Sequence, residues 1–345
     1  MEKENRAICV SYNVVIPVFN LIVDTGMEKI LQFNYKPART TPQEIILDSF
    51  TIALFRWDVN DKSVSNILEQ YCPPKSLPDK FDFFDAFPPQ YASAMLIVQV
   101  RELYPPGPGQ DILVKLSNSV YAEQIIPCLE YSLKLHHDAE PHFYKGYCFK
   151  NRVNTGTIMH WPIKEMQGPP MRIDRDAFDH ISRLLFTLLG ISESHRDSVG
   201  YRVLQIAMRY YVLSSRQTDY DIIFLMLMIA FEAICKKSDE ESVSRARACF
   251  GRLLAESKKE YSQISRFMSE DPNEKGCCFL RNAIVHGDVN TGSVRSQTFW
   301  DLKRYLRRAI VRLIDALDKS NIDPSNYYDS LDRYVNSRFS ELPTK

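Results

Sequence analysis

The sequence predicts an α+β protein in which a β-rich N-terminal domain, residues 1–168, precedes an all-α helical bundle, residues 169–345. Short runs of β-branched and aromatic residues, separated by prolines and glycines, dominate the first half. After Gly168-Pro169-Pro170 the proline content falls and apolar residues recur with helical spacing. A chain of 345 residues with 45% hydrophobic residues is long enough for about two domains with sizeable cores.

The strands of the first half follow from runs rich in Val, Ile, Phe and Tyr. We expect them at residues 8–18, 29–35, 44–57, 94–100 and 111–116, with one helix at 121–136. Proline pairs and the segment 105–109 cannot lie inside regular elements and mark loops. No residue of this half points to a ligand. We expect it to recognise a trigger, an activating or inhibitory partner, or RNA, and so to regulate the helical domain.

The second half shows the period of amphipathic helices throughout. We expect helices at residues 175–189, 199–213, 220–236, 240–257, 260–268, 274–286, 293–317 and 327–339. Ser238 with Glu241 forms a possible capping box for the fourth of these, and Gly287 is well placed as the left-handed residue that ends the sixth.

Composition limits the function classes. The 43 basic and 43 acidic residues balance, so any contact with RNA must come from a local patch. The charged N-terminus lacks the organisation of a secretory signal, and the longest uncharged apolar run, 222–231, is too short to span a membrane. We therefore expect a cytoplasmic protein with no membrane partner.

The cysteines and histidines indicate neither a metal site nor a cofactor site. Eight cysteines without a C-x-x-C pair are typical of reduced thiols rather than of a disulfide framework or zinc site. His136, His137 and His142 near Cys148 match no established metal-ligand spacing. We expect no metal and no cofactor.

The octapeptide 280–287, Leu-Arg-Asn-Ala-Ile-Val-His-Gly, is the most informative segment for function. At about 100° per residue, Cys277, Leu280 and Ile284 share one face, which we expect to turn to the core. Asn282 and His286 lie on the opposite face with Phe279, and Arg281 lies on the flank. The plain alternative is that His286 interacts only with the helix dipole and that Arg281 is a solvated charge.

Residues 280–287 and the segment 229–234, Ile-Ala-Phe-Glu-Ala-Ile, resemble the Apea-like branch of the HEPN family, and the resemblance spans roughly residues 201–317. The family's small helical bundle carries an Arg, a polar residue and, four to six positions on, a His. Here these are Arg281, Asn282 and His286. The resemblance implies a metal-independent endoribonuclease that works as a homodimer, with a role as a toxin or antiviral effector.

The chemistry required of such an enzyme suits these side chains. A base removes the 2′-hydroxyl proton of RNA, the oxyanion attacks the adjacent phosphorus, and a cation stabilises the phosphate oxygens. His286 is the residue expected to transfer protons, because an imidazole can both accept and donate a proton near neutral pH. Arg281 is expected to hold the phosphate, and Asn282 to orient His286 or the scissile group.

Helix geometry favours a site shared by two chains. Arg281 and His286 are about 140° apart on an ideal helix, which suits two groups acting on one phosphorus poorly. Pairing two copies of the helix across a symmetry axis would bring His286 of one near Arg281 of the other. The alternative function is a non-catalytic HEPN-like module that binds a partner or a nucleotide.

Two further features have open interpretations. Glu232 lies in a very apolar helix, either as a buried structural ion pair with an arginine or as a residue that orients Arg281 or His286. Arg304, Arg308 and Arg312 step along one face of the helix at 293–317. They either follow RNA phosphates or form an ordinary solvated face.

Overall fold

The protein combines an antiparallel sheet with helices, so the predicted α+β class is confirmed. The computed structural model describes residues 8–23, 29–33, 46–56, 92–104, 120–136, 141–143, 145–150, 153–160, 171–237, 242–287 and 294–343. The chain divides into two compact units, residues 1–183 and 184–345. The sequence places the boundary earlier, after residue 168.

The first unit contains an antiparallel sheet. Its described strands are β1 (Ile8–Phe19), β3 (Lys29–Phe33), β4 (Ile46–Arg56), β5 (Ala92–Tyr104), β6 (His142–Phe143), β7 (Lys145–Lys150) and β8 (Val153–His160). Their order is β3-β4-β5-β1-β7-β8, with β6 also paired to β1. Strand β2 (Leu21–Val23) pairs in parallel with β9 (Met171–Ile173) outside this sheet. Helix α1 (Val120–His136) packs against β5.

The central strands β1 and β5 are enclosed on both faces. Consecutive residues of β1, such as Val14, Val15 and Ile16, are fully buried, although neighbouring side chains of a strand point to opposite faces. Glu102 of β5 is also fully buried, and its carboxylate accepts a hydrogen bond from the Tyr104 hydroxyl at 3.0 Å. That hydroxyl lies 2.8 Å from the Tyr12 hydroxyl. The sheet interior therefore holds a short polar chain within an otherwise apolar core.

Helices make up the described part of the second unit. Helix α2 (Arg175–His195) begins in the first unit, and the helices that follow are α3 (Val199–Ser214), α4 (Tyr220–Cys235), α5 (Val243–Leu254), α6 (Lys258–Phe267), α7 (Cys277–His286), α8 (Ser296–Asp318) and α9 (Tyr327–Ser340). Helix α8 packs against α3, α4 and α5, while α7 packs against α4. No helix of the described ranges is long and apolar enough to cross a membrane.

Side-chain caps fix where several helices begin. The side chains of Ser198, Asp219, Ser242 and Ser257 accept hydrogen bonds from backbone N–H groups in the first turns of α3, α4, α5 and α6. The capping box predicted from Ser238 and Glu241 is therefore wrong, because α5 begins after Ser242. Ser238 and Glu241 themselves lie outside the described residues, as does the strand predicted at 111–116.

Candidate functional site

Helix α7, which carries the Arg-Asn-x3-His motif, is fixed at both ends by glycine. A Cβ atom at Gly276 would lie 2.4 Å from the backbone nitrogen of Ser269 and 2.6 Å from its carbonyl oxygen. Only glycine permits this approach, and it allows the Phe279 N–H to donate to the Ser269 carbonyl at 3.1 Å. Gly287 has a φ of 72° and ends the helix, which confirms the predicted left-handed cap.

The buried face of α7 differs from the predicted one. Cys277 is buried as expected, but Leu280 and Ile284 are only half-buried, and Cys278 and Ala283 are buried instead. The predicted core face is therefore wrong for Leu280 and Ile284. Helix α7 packs on α4, and the residues that it buries are not the ones that its apolar spacing selects.

Arg281 makes a polar cluster with Glu232 and Asn282. Its Nε lies 3.4 Å from Glu232 Oε1, and its Nη1 donates to Asn282 Oδ1 at 3.1 Å. The side chains of Arg281 and Glu232 are 34% and 27% exposed. Glu232 thus contacts an arginine, as both interpretations require, but the pair is partly exposed rather than buried. Its role in orienting Arg281 stays a prediction. A guanidinium held in this way still has donors for an anion.

His286 is the last residue of α7 and is exposed. Five residues of helix separate it from Arg281, a rise of about 7.5 Å and a rotation of about 140°. The residue before it, Val285, is 54% exposed. The imidazole is therefore on the surface beside an apolar side chain, away from the Glu232–Arg281 pair.

The three arginines of α8 have different surroundings. Arg304 forms an exposed ion pair with Asp301 at 2.8 Å. Arg308 contacts Glu260 at 2.9 Å and donates to the Leu254 carbonyl at 3.1 Å. Arg312 donates to the carbonyls of Leu253 and Leu254 at 2.6 and 2.5 Å and pairs with Glu256.

Arg308 and Arg312 thus bind the carbonyl end of helix α5, where a cation is favoured by the helix dipole. Burial and the neighbouring Arg338 lower the pKa of Arg312 to about 10. These contacts give both side chains a structural role. Their contact with RNA stays a prediction, as does that of Arg304.

Arg247, which the sequence did not single out, lies close enough to the motif helix to act on Cys278. Cys278, at 2% exposure, has four charged side chains close enough to move its pKa. Burial and Glu270 raise the pKa of this thiol to about 12, Arg247 lowers it, and Glu232 and Arg281 contribute in opposite directions. Arg247 is one of several arginines in α5, and nothing in its spacing marks it out.

The described residues contain no group of three His, Cys, Asp or Glu side chains arranged to hold a metal ion. Their cysteines are free thiols, including the neighbours Cys277 and Cys278. The chemistry of the described site therefore has to be argued from Arg281, Asn282, His286 and their neighbours.

No family model, curated protein or solved structure matches this chain.

Proposed function

We propose that the protein is a metal-independent HEPN-type endoribonuclease that cleaves RNA at a site formed by two copies of helix α7. One observation carries the proposal: Arg281 is held by Glu232 and Asn282 on a partly exposed surface of the same short helix that ends in an exposed His286. A fixed cation and an accessible imidazole are the two groups that the reaction needs.

The roles follow from the chemistry of the side chains. His286 takes the proton of the 2′-hydroxyl or returns one to the leaving 5′-oxygen. Arg281 binds the phosphate through the donors that Glu232 and Asn282 leave available. Asn282, hydrogen-bonded to Arg281 in this chain, positions that guanidinium. The products are a cyclic phosphate and a 5′-hydroxyl.

A homodimer would solve the separation between the two groups. The α4 residues Ile222 and Ile229 are 44% and 40% exposed, seven positions apart on one helix face, and Val285 is exposed on the neighbouring α7. Exposed apolar side chains of this kind favour a protein contact. A two-fold axis at this surface would bring the two motif helices together.

The test is RNA cleavage by the purified full chain in the presence of EDTA. We expect cleavage of labelled single-stranded RNA, no cleavage of its 2′-O-methyl analogue, and products that end in a 2′,3′-cyclic phosphate. Arg281→Ala and His286→Ala should each lower the rate by at least about 100-fold. His195→Ala is the matched control, because His195 is also the last residue of a helix, α2.

Two results would reject the proposal. Folded wild-type protein that cleaves no RNA, alone or with a cellular extract, would favour the non-catalytic binding module. Cleavage that needs a divalent metal or survives both substitutions would place the chemistry elsewhere.

A further inference from the structure

Three helices bring charged side chains to Cys278. Glu232 comes from α4, Arg281 from α7 and Arg247 from α5. Helices α4 and α5 pack together next to Glu232. The ring of Phe231, the residue before Glu232, packs edge-on against the ring of Phe250 at a centroid distance of 5.1 Å. Phe250 follows Arg247 by three residues, which places both on neighbouring positions of one helix surface.

The charges around the Cys278 thiol agree with this placement of Arg247. Burial and Glu270 raise the pKa of the Cys278 thiol, whereas Arg247 and Arg281 both lower it. Two guanidinium groups therefore lie within electrostatic reach of the same sulfur atom. Because the thiol stays neutral at physiological pH, it does not compensate either of them.

Arg247 differs from the other two arginines of helix α5, Arg245 and Arg252, which both have side-chain partners. Over the described ranges it makes no hydrogen bond or ion pair, although its side chain is half-buried. On the same helix, Arg245 pairs with Asp332, and Arg252 donates to Asn336 at 2.5 Å. A half-buried guanidinium has lost part of its hydration, and its five N–H donors are available for an anion.

We propose that Arg247 is a second phosphate-binding residue, which contacts the RNA backbone beside the phosphate held by Arg281. The inference rests on the proposed function, because it places Arg247 in the same site. Glu232 pairs with Arg281, whereas Arg247 makes no ion pair with any carboxylate of the described residues. RNA phosphates are the anions that such a pair of guanidinium groups would bind.

The test measures binding separately from cleavage. A fluorescent 2′-O-methyl RNA, which the proposed chemistry cannot cut, is titrated with the full chain at several salt concentrations. We expect Arg247→Gln to weaken binding by about 10-fold at low salt. The slope of log affinity against log salt should fall by about 0.7, the value for one phosphate contact on a single strand. Arg245→Gln, on the same helix, should leave both unchanged.

Cleavage of ordinary RNA separates this inference from the function itself. If the wild-type chain cleaves RNA and Arg247→Gln binds and cleaves RNA equally well, the role of Arg247 is overturned and the proposed ribonuclease activity is not. A wild-type chain that neither binds nor cuts RNA would overturn both. If Arg247→Gln does not fold, Arg247→Lys provides the readout, because lysine keeps the charge and loses the planar fork. It should weaken binding while preserving the salt slope, and unchanged affinity would reject guanidinium recognition.

Discussion

Glu232 and Arg281 form an ion pair across two helices, and through this contact the glutamate would position Arg281 in the proposed site. A partly exposed pair of this kind contributes at most about 1 kcal/mol to stability. Its larger effect would be to restrict the guanidinium, because a small displacement of a phosphate-binding group is costly to the rate. The carboxylate thus limits the freedom of Arg281 more than it stabilises the fold.

We predict that Glu232→Gln lowers the rate of RNA cleavage by about 10-fold and changes the free energy of unfolding by less than about 1 kcal/mol. Single-turnover cleavage and urea denaturation measure the two quantities. Asp329→Asn, which removes the exposed pair with Lys237, is the control and should leave the cleavage rate unchanged. Full activity with unchanged stability in Glu232→Gln would reject both interpretations of this residue.

The first unit contains a histidine pair whose hydrogen bond depends on protonation. The Nδ1 atoms of His136 in α1 and His180 in α2 lie 2.8 Å apart, so one of them must be unprotonated to accept the hydrogen bond. Burial, with Arg183 as a second cause, lowers the pKa of His180. At pH values between the lowered pKa of folded His180 and the ordinary value of about 6.5, His180 is therefore protonated in the unfolded chain but not in the folded chain.

We predict that acidification from about pH 7.5 to pH 5 destabilises this pair, with the loss beginning near pH 6.5, where the unfolded histidine titrates. Hydrogen exchange in residues 120–136 measures it, and protection should fall as the pH falls. His180→Gln should reduce this pH dependence, while His195→Gln should not. Equal protection of α1 at both pH values in the wild-type chain, after correction for intrinsic exchange, would contradict the prediction.

At the scale of the element, arginines of α8 and α9 bind the carbonyl end of helix α5. Arg308 and Arg312 donate to the carbonyls of Leu253 and Leu254, and Arg338 donates to that of Ala255 at 3.1 Å. The last carbonyls of a helix have no partner within the helix. These arginines therefore link α5 to α8 and α9 through groups that would otherwise lack partners.

We predict that Arg312→Ala destabilises the protein by about 2–3 kcal/mol, because it leaves two carbonyls and Glu256 without this donor. Arg304→Ala should cost less than about 0.5 kcal/mol, since its exposed pair with Asp301 lies within one helix. Urea denaturation of both variants measures the difference. Equal stability of the two variants would argue against a capping role. If both variants fold and lose RNA affinity equally, the result would instead support contact of these α8 arginines with RNA phosphates.

Local signals in the sequence predicted most of the helices, but they did not predict which residues each helix buries or which side chains it brings together. Gly287 predicted the end of α7 correctly, because a left-handed cap acts within a few residues, whereas the helix begins three residues later than the expected 274. The buried face of α7 depends on its contact with α4, which local spacing does not reveal. The position of the Arg247 side chain near α7 likewise depends on how α4 and α5 pack. The hairpin of β7 and β8 was also missed, because its glycines, Gly146 and Gly156, weaken the strand signal.

At the scale of the whole molecule, the proposed site is complete only when two chains share it. If His286 of one chain acts with Arg281 of its partner, each dimer has two composite sites related by symmetry. In a heterodimer of Arg281→Ala and His286→Ala chains, one composite site lacks both groups and the other keeps both. A site contained within one chain would be inactive in every such heterodimer.

We therefore predict that mixing the two inactive variants under conditions of subunit exchange restores about a quarter of the wild-type activity. Half of the dimers are heterodimers, and half of their sites are intact. Cleavage of labelled RNA after exchange measures the recovery. Mixing Arg281→Ala with the double variant Arg281→Ala/His286→Ala is the control and should restore nothing. Ile229→Asp, which places a charge on the exposed face of α4, should prevent both dimer formation and recovery. Fully exchanged heterodimers without activity would reject the shared site, because each would contain one intact composite site if the proposal held.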